Sequence, residues 1–269
     1  RPQLYWVFFA SQSLGAIPVP IYQDGVPAEL EFVLNHAGVR FAVVENQEQA
    51  DKLVAIKEQC PALEAIIYSD TKGMRHYPES FLYSYADVQE QGRQYDAEHA
   101  DFFEEELASG QADEVAGIFY TSGTTGEPKG VQLTSANLLG AAEACTAQEG
   151  LGSTDRQVNY APMAWIGDHL FLSLSLSVGA CTSCPESRET LFADVKEIGP
   201  TMFFAPPAIW EQLLTSVTIR MEDASRFNRW LFRHFMAVAR RVGLDLLDGR
   251  SIGMLDRLRY ALGELFIYG

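Results

Sequence analysis

Basic side chains are scarce in this 269-residue chain: 20 lysines and arginines stand against 36 aspartates and glutamates, a formal net charge of -16. That balance excludes a broad nucleic-acid-binding surface, which needs lysine and arginine concentrated against phosphate. No apolar run approaches the ~20 residues that a membrane-spanning helix requires, and no signal peptide is visible. Cysteine is sparse as well, with four in all. Cys60 and Cys145 are isolated, so a disulfide framework is set aside. Cys181 and Cys184 form a C-x-x-C, but no second pair or nearby histidine completes a zinc site. A redox dithiol stays open beside the plainer reading, small residues on a strand leading into Pro185 in a reducing compartment. Internal repeats and low-complexity segments are also lacking.

What is present reads as an ordinary globular protein, 47% hydrophobic and 21% charged, long enough for one large domain or two small ones. Much of the acid excess lies in "DAEHADFFEEELASGQADE", residues 96–114, expected to be a solvated connector. Arg1 falls inside a helical pattern and Gly269 directly follows the apolar "LFIY". Both ends are therefore expected to be cuts in a longer protein.

The spacing of apolar residues predicts a helix up to Leu14 with Gly15 as its stop, then a short strand over 17–22. Pro27 opens a second helix that Gly38 closes, and a β-branched strand follows over 39–46. A third helix over 48–60 ends at Pro61, before a strand over 63–69. Short, almost wholly apolar strands alternating with helices indicate an α/β fold, layered and parallel-rich, with helices flanking the sheets. Residues 71–111 read as less regular surface wrapping. The strongest strand covers 114–121, its partner 130–134, and Thr134 caps a helix over 135–148. Strands over 157–162, 179–184 and 200–206 alternate with helices from Ile166, over 188–199 and over 208–217.

Between the strands over 114–121 and 130–134 lies "FYTSGTTGEPKGV", residues 119–131. Glycines let a backbone approach a ligand closely, and exposed amides with the hydroxyls of Thr121, Ser122, Thr124 and Thr125 offer many donors to phosphate oxygens. Lys129 adds a mobile positive charge. On composition alone a flexible hairpin turn explains the stretch equally well. It is not the Walker pattern, because Lys129 lies between Pro128 and Gly130, and it is not G-x-G-x-x-G.

"YTSGTTGEPKGV" does resemble, residue for residue, the phosphate-loop motif of the adenylate-forming enzymes, which include acyl-CoA synthetases, peptide-synthetase adenylation domains and luciferases. "QSLGAIPVPIY", "ELEFVLNHAGVRFAVVEN" and "ETLFADVKEIGPTMFFAPPAIWEQL" are similar to the corresponding stretches of the long-chain fatty acyl-CoA synthetase branch. The resemblance covers nearly the whole chain and implies that residues 1–269 are an incomplete AMP-binding N-terminal domain, without the C-terminal lid domain. It also implies a two-step reaction. A carboxylate attacks the α-phosphate of ATP to give acyl-adenylate and pyrophosphate, then coenzyme A displaces AMP. The implied partners are a fatty acid, ATP, Mg²⁺ and CoA, in the cytoplasm, with peripheral contact to the inner membrane face as a further expectation. By the motif match Thr121, Ser122, Gly123, Thr124, Thr125, Gly126 and Lys129 surround the β- and γ-phosphates, and Thr121 is the position near Mg²⁺.

A second landmark of the resemblance is "APMAWIGDHLF". Many relatives have a histidine where Trp165 stands, beside the acyl and adenylate pocket. Trp165 could gate an apolar tunnel or simply pack in a core, and Gly167 leaves room for a chain. Asp168 and His169 form an acid–base pair or, preferably, ordinary helix-start residues, since neighbours on a helix point in different directions. Two departures stand out: Ala208 where an arginine is frequent, and Ser135 where a histidine is common. The adenine-binding segment, the hinge and the adenylating lysine are not found, so residues 1–269 alone are expected to form no acyl-AMP. The arginine-bearing helix over 227–244 reads as a core-packed helix with a solvated face, against attachment to an anionic membrane. An adenylation domain for an amino or aryl acid, and a non-catalytic nucleotide-binding homologue, remain as alternatives.

Overall fold

In the computed structural model, residues 2–121 and 128–264 are described. Helix α1 (Pro2–Ser13) ends where expected. Gly15 adopts φ +67° and the Ala16 N–H donates to the Ser11 carbonyl at 2.9 Å, a left-handed ending that glycine reaches without strain. The predicted strand over 17–22 does not form. Pro18 and Pro20 have no N–H to give a ladder, and the segment is held beside β4 (Val115–Thr121) by Ile118 N–H donating to the Pro18 carbonyl.

Helix α2 (Pro27–Ala37), closed by Gly38, and α3 (Gln47–Ala55), capped by Asn46, cover a parallel sheet. Its strands are β1 (Phe41–Val44), β2 (Ala65–Tyr68) and β3 (Leu82–Ser84), in that order. Phe41 pairs with Ala65 and Ile66 with Leu82. Leu30, Leu34, Leu53, Ile56, Cys60, Leu63 and Ile66 form the core between these layers. Each fully buried aliphatic side chain there stabilises the fold by about 1.5–3 kcal/mol.

Residues 71–111 are more regular than the sequence pattern indicates. They contain β3, α4 (Tyr85–Glu98) and α5 (Phe102–Ser109). Ser84 caps α4 by accepting from Asp87 N–H at 3.1 Å. The acidic stretch is solvated as expected, but it is helical, with Glu104 and Glu105 in the first turn of α5 where the helix dipole favours negative charge.

Strand β4 pairs antiparallel with β5 (Lys129–Thr134). Helix α6 (Ser135–Glu149) follows at once, capped by Thr134. A third, parallel sheet joins β6 (Arg156–Val158) to β7 (Cys181–Ser183), with α7 (Ile166–Val178) between them. Helix α8 (Leu191–Ile198) then leads to the predicted strand over 200–206, which shrinks to a single bridge between Met202 and Gln157. There the Arg156 carbonyl accepts from the Thr201 and Met202 N–H groups, while the Arg156 N–H donates to the Thr201 hydroxyl at 2.9 Å.

Residues 1–203 form one compact unit and residues 204–269 another. The second unit is helical: α9 (Pro207–Glu222), α10 (Arg226–Leu247) and α11 (Met254–Gly263). Of the apolar side expected for α10, Val238 and Val242 are buried, whereas Phe227 and Trp230 are mostly exposed. Its arginines are partly engaged, Arg241 with Asp256 at 2.6 Å and Arg229 with the Glu222 carbonyl.

Candidate functional site

The candidate site is built at the mouth of the β4–β5 hairpin. Thr121 ends β4, Lys129 begins β5, and the two are register partners across the hairpin, both exposed. Ser122, Gly123, Thr124, Thr125 and Gly126 lie outside the described residues. What the structure supplies is therefore the frame that holds the two ends of the motif.

That frame is clamped on both faces of β4. Because side chains alternate along a strand, Phe119 and Tyr120 point to opposite sides. Phe119 is buried and meets the His169 ring edge-on, with centroids 4.8 Å apart. Tyr120 lies on the other face, across the next register position. A Cβ added to its partner Gly130 would sit 2.9 Å from Ile118 Cγ2 and 3.2 Å from Tyr120 Cζ. Glycine at 130 is thus required for the phenol to lie over β5. The Tyr120 hydroxyl is hydrogen-bonded to His36 Nδ1 at 2.6 Å, and burial raises its pKa above the ordinary phenol value. On the α1 side, Gln12 Nε2 donates to the Ala116 carbonyl at 2.7 Å and fixes the start of β4.

The stretch around α7 stands next to Phe119. Trp165 is the N-cap residue of α7 and is 44% exposed, which removes the core-packing reading. A Cβ on Gly167 would meet nothing within 4 Å, so open space lies beside it. Asp168 and His169 are both buried, at 2% and 1% exposure, and neither acts as a helix-start cap. They do not act as an acid–base pair either, because each takes a separate partner. The Tyr5 hydroxyl donates to Asp168 Oδ2 at 2.8 Å, and His169 Nε2 bonds the Met163 carbonyl at 2.7 Å. His169 Nδ1 is left without a hydrogen-bond partner.

Burial dominates the electrostatics of this cluster. It pushes the Asp168 carboxyl up to about 6, against the opposing pull of the Tyr5 hydrogen bond. It pushes the His169 imidazole down to about 4, partly offset by the Met163 carbonyl. The Tyr5 hydroxyl is raised well above its ordinary value by burial and then by the neighbouring carboxylate. The imidazole is therefore neutral and packs as an aromatic, 4.4 Å from the Phe8 ring as well as against Phe119.

The donors at the hairpin mouth fit an anion: one hydroxyl and one ammonium project at its two ends. A divalent cation fits only in company with phosphate. Among the described residues no group of three or more His, Cys, Asp or Glu side chains could hold a metal, and a lone threonine hydroxyl offers a single hard oxygen. All four cysteines are free thiols. Among the described residues no helix is long and apolar enough to cross a membrane.

His36, Tyr120 and Tyr5 are the residues that sequence reasoning missed. Tyr120 lies within the motif but carries no phosphate-binding group, and the partners of His36 and Tyr5 are 84 and 163 positions away.

Comparison with known proteins bears on the fold and the family. A human long-chain-fatty-acid–CoA ligase, ACSBG2, is 32% identical over 263 residues, covering 94% of this chain and 38% of its own length. The chain thus spans about two fifths of the curated relatives it matches. Among solved structures, a long-chain-fatty-acid–CoA ligase from Archaeoglobus fulgidus matches with a TM-score of 0.60 at 23% identity. It covers 83% of this chain and 41% of its own. An anthranilate–CoA ligase in complex with anthranoyl-AMP matches with a TM-score of 0.58 at 23% identity, over 75% of this chain and 38% of its own. At such identities the two structures bear on the fold alone, and they agree with a layered α/β domain. The family model for the AMP-binding enzymes matches residues 1–258 and so takes in the hairpin, its clamps and α7; this chain belongs to the AMP-binding enzyme family.

Proposed function

We propose that residues 1–269 are part of the nucleotide-binding domain of an ATP-dependent, AMP-forming acyl-CoA ligase whose acid is a long-chain fatty acid. The observation that carries the reading is the register pairing of Thr121 with Lys129 at the ends of the hydroxyl-rich motif. That pairing presents a donor and a cation to one anionic tail. In this reading Thr121, Ser122, Gly123, Thr124, Thr125, Gly126 and Lys129 hold the β- and γ-phosphates of ATP. Lys129, on its long stem, follows the negative charge that develops on departing pyrophosphate. The Thr121 hydroxyl would be the protein oxygen that helps hold Mg²⁺, which would supply charge neutralisation to the triphosphate. Trp165 and Gly167 border the acyl chain: the indole is an exposed apolar wall and the glycine leaves space.

An aryl or amino acid as substrate is the second reading, supported by the fold match to an anthranilate–CoA ligase. ATP–pyrophosphate exchange on the full-length protein, across a panel of fatty, aryl and amino acids, separates the two. Long-chain fatty acids are expected to give exchange at least tenfold above the others. Exchange driven best by an aryl or amino acid overturns the substrate, and no exchange with any acid overturns the enzyme.

A further inference from the structure

We infer that His36, on α2 and remote in sequence from the motif, is a positioning residue for the phosphate-binding hairpin. It acts by holding the Tyr120 phenol across the two strands that open it. The inference rests on the reading of that hairpin as the ATP phosphate site.

The contact has several independent supports. His36 is in the last turn of α2, with its ring stacked on Phe32 one turn earlier, centroids 5.4 Å apart and planes within 19°. This stack sets the imidazole edge toward β4. The ring meets Tyr120 at 81°, 5.7 Å between centroids, in the edge-to-face geometry that aromatic pairs favour. The 2.6 Å hydrogen bond between His36 Nδ1 and the Tyr120 hydroxyl then fixes the phenol along its length. In the tautomer with the ring proton on Nε2, the hydroxyl donates and Nδ1 accepts.

What is fixed by this bond lies at the site. Tyr120 is register partner to Gly130, and the next pair outward is Thr121 with Lys129. The phenol rests on β5 where Gly130 has no side chain, so its position sets the approach of the two strands at the hairpin mouth. Phe119 is already anchored in the core on the opposite face by His169, whose ring also packs on Phe8. The His36 bond therefore governs the one face of β4 that the core does not hold. A donor and a cation that must bracket a triphosphate gain affinity when their spacing is set beforehand.

The test uses the full-length protein and two readouts: ATP affinity by isothermal titration, which needs no turnover, and KM for ATP against KM for the acid wherever turnover is seen. His36→Ala and Tyr120→Phe are each expected to weaken ATP binding and raise its KM about threefold to tenfold, the range of one lost hydrogen bond. The KM for the acid stays within twofold. The double variant is expected to be no worse than either single one, because both remove the same bond. His36→Asn, which keeps a hydrogen-bonding atom near the Nδ1 position, is expected to recover most of the affinity. Tyr120→Phe keeps the ring and serves if His36→Ala does not fold. Unchanged ATP affinity in either single variant, or losses that multiply in the double one, overturns the role of His36. A wild-type protein that binds no ATP overturns the reading of the hairpin itself, and the role of His36 with it.

Discussion

At the scale of single residues, Asp168 and His169 are neighbours whose titrations oppose each other. The folded pKa of Asp168, about 6, lies above the ordinary 3.8. Between those values the folded state keeps a proton that the unfolded chain has released. Its contribution to stability is full below about pH 4 and is lost as pH rises through 6. His169 has a folded pKa of about 4, below the ordinary 6.5. Its contribution is present above pH 6.5 and is lost as pH falls through 4. Each slope is roughly 1.4 kcal/mol per pH unit, so in the wild type they nearly cancel between about pH 4 and 6. Asp168→Asn removes one slope and keeps an acceptor for the Tyr5 hydroxyl. Relative to wild type, its unfolding free energy in urea should drop by roughly 2–3 kcal/mol on going from pH 6 to pH 4. His169→Gln should tilt the difference the other way. Parallel pH profiles for all three proteins contradict this account of the cluster.

Among the secondary-structure elements, α6 follows the motif most directly, and its start is set by a reciprocal cap. The Thr134 hydroxyl accepts from Asn137 N–H at 3.2 Å, and Asn137 Oδ1 accepts from Thr134 N–H at 3.0 Å. Thr134 is also the last residue of β5, so the cap joins the hairpin to the helix. Thr134→Ala is expected to cost about 1 kcal/mol in urea unfolding; a loss within experimental error means that the cap is dispensable. Elements of this kind, marked by Thr134, Pro27 or Gly38, are legible in the sequence because one residue's geometry stops or starts the chain. The strands predicted over 17–22 and 200–206 fail for the converse reason. Their apolar pattern suits a strand, but Pro18 and Pro20 deny the first its ladder, and in the second backbone pairing is confined to Thr201 and Met202 against the Arg156 carbonyl. Helix α4 has a start signal in Ser84 and Asp87, but no buried apolar stripe follows to mark it as a helix in the sequence. The phosphate-site candidates were legible as a motif. The clamp of His36 on Tyr120 was not, because only the fold brings α2 to β4.

The whole molecule divides its exposed apolar surface unevenly. In residues 204–269, Phe227 is 66% exposed, Leu247 86% and Met254 89%, and Trp230, Leu255 and Leu258 are also exposed. Several arginines lie between them on α10 and α11, so this surface mixes charge with large apolar side chains. Monomeric proteins seldom leave many large apolar groups together in water. The curated relatives are far longer than this chain, and their further length is available to cover such a surface. Residues 1–269 prepared alone are therefore expected to enhance the fluorescence of an apolar dye such as ANS. They should also self-associate in light-scattering chromatography at tens of micromolar (~10⁻⁵ M), while the full-length protein does neither. Within the fragment, Phe227→Ser with Met254→Ser should reduce both signals and leave the core of residues 1–203 unchanged in urea. A fragment that runs as a monomer, with dye emission no higher than the full-length protein's, means that these helices are self-sufficient. Their exposed side chains then need no further cover.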